Sequence, residues 1–272
     1  MKNMTFTGTT EWHLLTDCIE VLEEELISRD FFNYAVEYMA NGTRVILYTE
    51  DEDFVKNIIE FTNSKLLEKK ISCADNWFKY MKLEPFQITE KIWIDPKGSL
   101  DDKDVIVVKM RPSAAFGTGD HPTTILAAKF LAQYLMSNHS VLDIGCGTAI
   151  LAIIAAKLGA EKVTAVDNDP VAVEVAKEFV KENQVEVDVI LSDLTNNVEG
   201  KYDLVVANIL TPVIMQLMRQ IHKVTHTGSL LIVSGIPTKD ELVIRKCFES
   251  KSFEILSEGE MQNWRAFAVK IC

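Results

Sequence analysis

From the region of Ile144 onward, short runs that are apolar throughout alternate with longer stretches in which apolar residues recur every three or four positions. The first pattern suits strands buried on both faces and the second suits helices with one apolar side. Their alternation predicts a parallel sheet covered by helices. The expected strands are Val141 to Ile144, Lys162 to Asp167, Val187 to Leu191, Tyr202 to Asn208 and Ser229 to Gly235. Helices are expected at about Ala149 to Leu158, Pro170 to Glu182, Pro212 to His222 and Lys239 to Glu249. Pro170 and Pro212 stand where a helix would begin, and there a missing N–H costs nothing. The tail offers two further strands, FEILSEGE and WRAFAVKI, with Glu258 to Asn263 as the hairpin that would close the sheet antiparallel.

The first part of the chain has a different rhythm. It reads as a strand at Thr10 to Leu15, a helix at Asp17 to Ser28, a strand at Tyr34 to Met39, and a strand at Arg44 to Tyr48 after the turn signal Asn41-Gly42. A helix at Glu52 to Leu67 and a strand at Lys70 to Cys73 complete it. The order βαββαβ is that of a small α+β, ferredoxin-like domain. Between about Asn76 and Ala115 runs a connection in which short β pieces, KIWI and VIVVKM, flank the polar loop DPKGSLDDKD.

Composition narrows the partners. Of the 272 residues 47% are hydrophobic and 25% charged, close to the soluble globular norm, and no apolar run approaches the roughly 18 residues of a membrane span. The N-terminus lacks the continuous apolar core of an export signal. The five cysteines are scattered and form no CxxC pair, which disfavours both a disulfide framework and a zinc site and suits a reducing cytoplasm. A formal net charge of −12 argues against a nucleic-acid backbone as main partner, because such binding needs clustered Lys and Arg.

The chemistry is concentrated where the first parallel strand ends. VLDIGCG, Val141 to Gly147, breaks at Gly145 and Gly147, which let the backbone turn sharply into a helix and approach a ligand closely. A dinucleotide site would want a third glycine where Ile150 stands, whereas the D-x-G-x-G spacing from Asp143 fits S-adenosylmethionine-dependent methyltransferases. Asp167 ends the next strand, about 20 residues on, where a carboxylate accepts from ribose hydroxyls. It supports an adenosine ligand without naming it. Ser192-Asp193, at the following strand end, is in position to meet an adenine edge. Asn208 ends a central strand in the crevice where open α/β sheets bind ligands, and its side-chain oxygen could orient an acceptor amine. Asn before Thr-Pro is also a common turn former.

The segment Ala115 to Thr124, AFGTGDHPTT, completes a set. A-F-G-T-G-x-H-P-T-T, then D-x-G-C-G-[ST]-x-I-L-A-I-x-A-x-K-L-G-A, D-x-D-P-x-A-V, V-V-A-N-I-L and S-G-I together resemble the ribosomal protein L11 methyltransferases. The likeness continues upstream through W-F-K-Y and K-I-W-I-D-P, so that it covers about Asn76 to Gly235. It implies a seven-stranded class I methyltransferase (Rossmann-like) domain, S-adenosyl-L-methionine as methyl donor and amino groups of a ribosomal protein as acceptors. It also implies a division into residues 1–75 for substrate recognition, 76–115 as connection and 116–272 for cofactor binding and transfer, with a flexible joint near Ser72 to Asp75. By the motifs, Thr124, Gly145, Asp167 and Asn208 match cofactor-contacting positions, to which Asp143, Gly147 and Asp193 are added from the strand ends. Phe116, Gly117, Thr118, Gly119 and His121 match the loop over the methionine end. Asn208 is the candidate catalytic residue, acting by positioning, with no metal or dedicated general base.

Three departures stand out. Ala149 replaces a glycine, a mild change if its φ is negative; Asp120 brings a carboxylate to the expected mouth; and the first domain and the ending WRAFAVKI match loosely. The rival readings are a methyltransferase of another protein or of a small amine, a non-catalytic cofactor-binding regulator, and, as an outsider, an NAD enzyme.

Overall fold

The structure, a computed structural model, describes residues 9–29, 31, 34–39, 42–72, 84–100, 102–111 and 117–272. Several expectations lie outside them: Asn41, Cys73 with the expected joint as far as Asp75, the W-F-K-Y segment from Trp77, and Phe116. The chain divides into two compact units, Met1–Met81 and Lys82–Cys272.

The first unit runs β1 (Thr9–Thr16), α1 (Ile19–Ser28), β2 (Tyr34–Met39), β3 (Gly42–Tyr48), α2 (Glu52–Thr62) and β4 (Lys65–Ser72). Its sheet has the order β2-β3-β1-β4, antiparallel throughout. Alternate residues of the two central strands, Trp12, Leu14, Val45 and Leu47, pack with Leu22 and Leu26 of α1 and Val55 and Ile58 of α2. That is the period of two meeting the period of 3.6. The helix expected to reach Leu67 stops at Thr62. Asn63 takes a left-handed φ of 49° and returns its N–H to the Ile59 carbonyl, and the chain turns back so that Lys65 to Ser72 can pair with β1.

The second unit opens with a small sheet of β5 (Phe86–Thr89), β6 (Ile92–Asp95) and β7 (Ile106–Lys109). Buried Asp95 fixes the polar loop that follows, accepting from the N–H groups of Lys97, Gly98 and Leu100. Then come α3 (Pro122–Tyr134), β8 (Ser140–Ile144), α4 (Ile150–Lys157), β9 (Lys162–Asp167), α5 (Pro170–Glu182) and β10 (Asp188–Leu191). The chain continues through β11 (Tyr202–Asn208), α6 (Thr211–Gln220), β12 (Thr225–Pro237), α7 (Glu241–Ser250), β13 (Glu254–Met261) and β14 (Trp264–Lys270).

The large sheet has the order β10-β9-β8-β11-β12-β14-β13. Neighbours from β10 to β12 are parallel, and β14 and β13 join antiparallel. One apolar cluster packs α3, α4 and α5 on one face, and a second packs α6 and α7 on the other. Both faces are thus covered, which is why the central strands read as continuous apolar runs. Chain order reverses between β8 and β11, which places a ligand crevice at the carboxyl ends of these strands.

Two of the boundaries that differ from expectation do so for a reason of strand pairing or turn geometry. β12 begins at Thr225 rather than Ser229 because Thr225 pairs with Tyr202. The hairpin turn is only Gln262-Asn263, with φ of 48° and 65°, so β13 continues through Glu258 to Met261. Two adjacent positive φ values match the twist of the flanking strands. Among the described residues no helix is long and apolar enough to cross a membrane.

Candidate active site

Four strand ends and two loops meet at the reversal point. After β8 the chain turns at Gly145, φ 69°, and the N–H groups of Gly145 and Cys146 both donate to the Val166 carbonyl on β9, at 2.8 and 3.0 Å. A Cβ on Gly145 would lie 2.4 Å from Cγ2 of Ile209, the residue after Asn208. Glycine is required because the turns after β8 and β11 close on each other. From the other side Gly235, in the S-G-I segment of β12, brings its backbone so near that a Cβ would sit 2.5 Å from the Ile209 carbonyl oxygen.

Asp167, half-buried at the end of β9, accepts from the N–H of Gly147 at 2.8 Å through Oδ2 and from that of Asp169 at 3.0 Å through Oδ1. These bonds fix its carboxylate at the lip of the glycine turn and leave each oxygen a further lone pair. Asp143 lies beneath, 1% exposed, and accepts from the N–H of Ala152 on α4 at 3.0 Å. Burial pushes its pKa up to about 7; the Ala152 bond opposes this and the charge of Asp167 adds to it. Burial likewise pushes the Cys146 thiol far up, so it is no nucleophile. Asp193 is exposed at the end of β10, where the N–H of Ser192 donates to the Asp167 carbonyl at 2.8 Å.

Asn208, half-buried at the end of β11, donates from Nδ2 to Oγ1 of Thr124 at 3.3 Å. Thr124 lies fully buried in the first turn of α3, and Ser234 of β12 donates its hydroxyl to the Thr123 carbonyl at 2.9 Å. His121 caps α3: its Nδ1 accepts from the N–H of Thr123 at 3.3 Å and sits 2.7 Å from the Thr123 hydroxyl. Its ring stands edge-on to Trp264, with centroids 5.3 Å apart. Burial lowers the His121 pKa, against the opposing charge of Asp120, so the neutral form with the proton on Nε2 is favoured. Asp120 itself is exposed and accepts from the Thr118 hydroxyl at 2.6 Å.

The structure therefore brings Thr124, Asp143, Gly145, Gly147, Asp167 and Asn208 to one crevice, with Gly117 to His121 on its α3 side and Asp193 on the outer strand. Three residues with no expected role help to hold it. The Thr148 hydroxyl donates to the Gly117 carbonyl at 2.8 Å and latches the loop to the glycine turn, while Ser234 and Trp264 anchor the start of α3. Thr148 and Ser234 stand inside recognisable motifs, but only the fold shows what they touch. The condition set for Ala149 fails: its φ is +60°, left-handed, at the N-cap of α4, where the chain leaves the turn that its N–H closes on the Cys146 carbonyl. Among the described residues no group of three or more His, Cys, Asp or Glu is placed to hold a metal ion.

Comparison with known proteins agrees with this layout. The family model described as Ribosomal protein L11 methyltransferase (PrmA) matches residues 15–271, well beyond the segment from Asn76 to Gly235 on which the resemblance rests, so the first unit shares it too. The ribosomal protein L11 methyltransferase of Thermotoga neapolitana is 41% identical over 252 residues, 92% of this chain and 94% of that one. That of Clostridium botulinum (strain Alaska E43 / Type E3) is 33% identical, over 87% and 82%. The crystal structure of ribosomal protein L11 methylase from Lactobacillus delbrueckii subsp. bulgaricus superposes with a TM-score of 0.65 at 29% identity, covering 69% of this chain and 98% of that one. With likeness running through both units and the crevice built from the shared motifs, the chain belongs to the ribosomal protein L11 methyltransferase family.

Proposed function

We propose that the protein transfers methyl groups from S-adenosyl-L-methionine to amino groups, lysine side chain or N-terminus, of ribosomal protein L11 in the cytoplasm. The observation that carries this reading is the Asp167 carboxylate fixed at the lip of the glycine turn, with β8 between its strand and that of Asn208 across the reversal point. The donor set suits such a cofactor: a carboxylate with spare lone pairs for the ribose, a backbone turn open to close approach, and buried acid rather than base beneath a cation. Bound there, the cofactor supplies an activated methyl on a sulfonium.

The chain's own work is then to position. Asn208, held by Thr124, orients the acceptor amine through its side-chain oxygen. The loop from Gly117 to His121, latched by Thr148, would cover the methionine end, and Asp193 would meet the adenine edge. A partly dry site favours the neutral, nucleophilic form of a lysine. The first unit, which we read as ferredoxin-like from its βαββαβ order and β2-β3-β1-β4 sheet, is the substrate-recognition domain in this reading. Incubation of the protein with radiolabelled S-adenosylmethionine and purified ribosomal protein L11 tests it. Label on that protein is expected, and label only on other proteins of a cell extract would keep the chemistry and reject the substrate.

A further inference from the structure

We propose that Ser234 is a positioning residue for methyl transfer, which fixes the start of α3 against the sheet so that Thr124 holds the Asn208 side chain with its oxygen towards the acceptor amine. This rests on the reading of Asn208 as the group that orients the amine.

Along the sheet face packed by α3, Leu204 and Val206 alternate on β11, and Leu230 and Ile232 on β12. A strand presents the same face every second residue, so the next position on that face is Asn208 in one strand and Ser234 in the other. The two are direct partners in the register. Each apolar stripe thus ends in a polar side chain, and both side chains meet the first turn of α3. Asn208 donates from Nδ2 to the Thr124 hydroxyl at 3.3 Å, and Ser234 donates its hydroxyl to the Thr123 carbonyl at 2.9 Å. The Ser234 carbonyl accepts in turn from the N–H of Ile209, the residue after Asn208, at 3.1 Å. These three bonds close a ring through Asn208, Thr124, Thr123, Ser234 and Ile209.

Thr123, Thr124 and Ser234 are almost fully buried, so the ring is made away from solvent and holds its members in one geometry. A carbonyl in the first turn of a helix already accepts from the residue four further on. The Ser234 hydroxyl therefore adds placement to a carbonyl that its own helix satisfies. On the other side of Ser234, Gly235 brings β12 so close that a Cβ would lie 2.5 Å from the Ile209 carbonyl oxygen. The ends of β11 and β12 are thereby locked together, and the member whose position the hydroxyl sets is α3. Shifting that helix start moves the Thr124 oxygen away from Asn208 and frees the amide to rotate, although neither Ser234 nor Thr123 contacts Asn208 through its side chain.

A double-mutant cycle on the full chain tests this. Transfer of radiolabel to purified ribosomal protein L11 at saturating donor gives kcat, and titration calorimetry gives the Kd of S-adenosylhomocysteine. Ser234→Ala should lower kcat by about tenfold, since misalignment of the acceptor is costly, with less than about a twofold change in Kd. In Asn208→Ala there is no amide left to align. The double variant Asn208→Ala with Ser234→Ala should then stay within about twofold of Asn208→Ala alone, the departure from additivity expected of two residues in one network. An unchanged kcat in Ser234→Ala, the same proportional loss in both backgrounds, or a loss of cofactor affinity as large as the loss of kcat would overturn the proposal. No label transferred by the wild type, or an undiminished kcat in Asn208→Ala, would instead reject the reading of the site, and the proposal with it.

Discussion

Asn208 and Thr124, 84 positions apart in the chain, meet at 3.3 Å, the side-chain amide of one donating to the hydroxyl of the other. The bond uses the nitrogen of Asn208 and leaves its oxygen available, so the orientation of the side chain is decided by a residue on a different element.

Asn208→Ala should therefore lower kcat for methyl transfer by about a hundredfold, because it removes alignment rather than chemistry. Cofactor affinity should fall much less. Thr124→Val, which removes the partner and keeps the shape, should show a smaller loss of the same kind. A larger effect on cofactor Kd than on kcat would contradict the positioning role.

In the proposed reading Asp167→Ala removes the carboxylate that would accept from the ribose hydroxyls, and it leaves the N–H groups of Gly147 and Asp169 without their partner. Loss of two to three such bonds corresponds to about a hundredfold or more in affinity. Calorimetric titration with S-adenosylhomocysteine checks this, and undiminished affinity would remove Asp167 from the site.

Ala149 pays for a left-handed backbone at φ 60° while burying its methyl completely. Relief of about 1 kcal/mol of strain in Ala149→Gly is offset by about 0.8 kcal/mol of lost burial, so its unfolding free energy should stay within about 1 kcal/mol of wild type. Ala149→Val adds a β-branched side chain to that backbone and overfills the core, and should cost about 3 kcal/mol. Urea unfolding monitored by circular dichroism distinguishes the two.

Far from the crevice, His226 lies between two acceptors, the Thr227 carbonyl at 3.0 Å and Asp203 at 3.1 Å. Its pKa is raised, first by the Thr227 bond and then by Asp203. The stabilisation is therefore complete below the ordinary histidine value and is lost as pH rises through the folded-state pKa. Asp203 is held down to about 2, mainly by the N–H and hydroxyl of Ser140, so its contribution is present above the ordinary aspartate value and fades as pH falls towards 2. The stability gap between wild type and His226→Ala should be wider at pH 5.5 than at pH 9, and an equal gap at both would show that the imidazole is not protonated in the fold.

The sequence by itself determined the alternation of β8, β9 and β11 with the helices α4, α5 and α6 that follow them, because strands buried on both faces need continuous apolar runs and short loops leave little choice of connection. It also determined the glycine turn with Asp167 beyond it, since the positive φ values of Gly145 and Gly147, 69° and 54°, are ones glycine adopts without strain. What depended on partners distant in sequence was decided by tertiary structure. Leu66 and Leu67 continue the apolar rhythm of α2, yet they belong to β4, because backbone pairing with β1 outweighs helix propensity once Asn63 has reversed the chain. β12 gained Thr225 from Tyr202 in the same way. Ala149 is left-handed where the chain leaves the turn to enter α4, and Asp143 is sealed from water beneath that helix with its oxygen on the Ala152 N–H; local pattern reveals neither, because burial and backbone handedness are set by whatever packs against a residue.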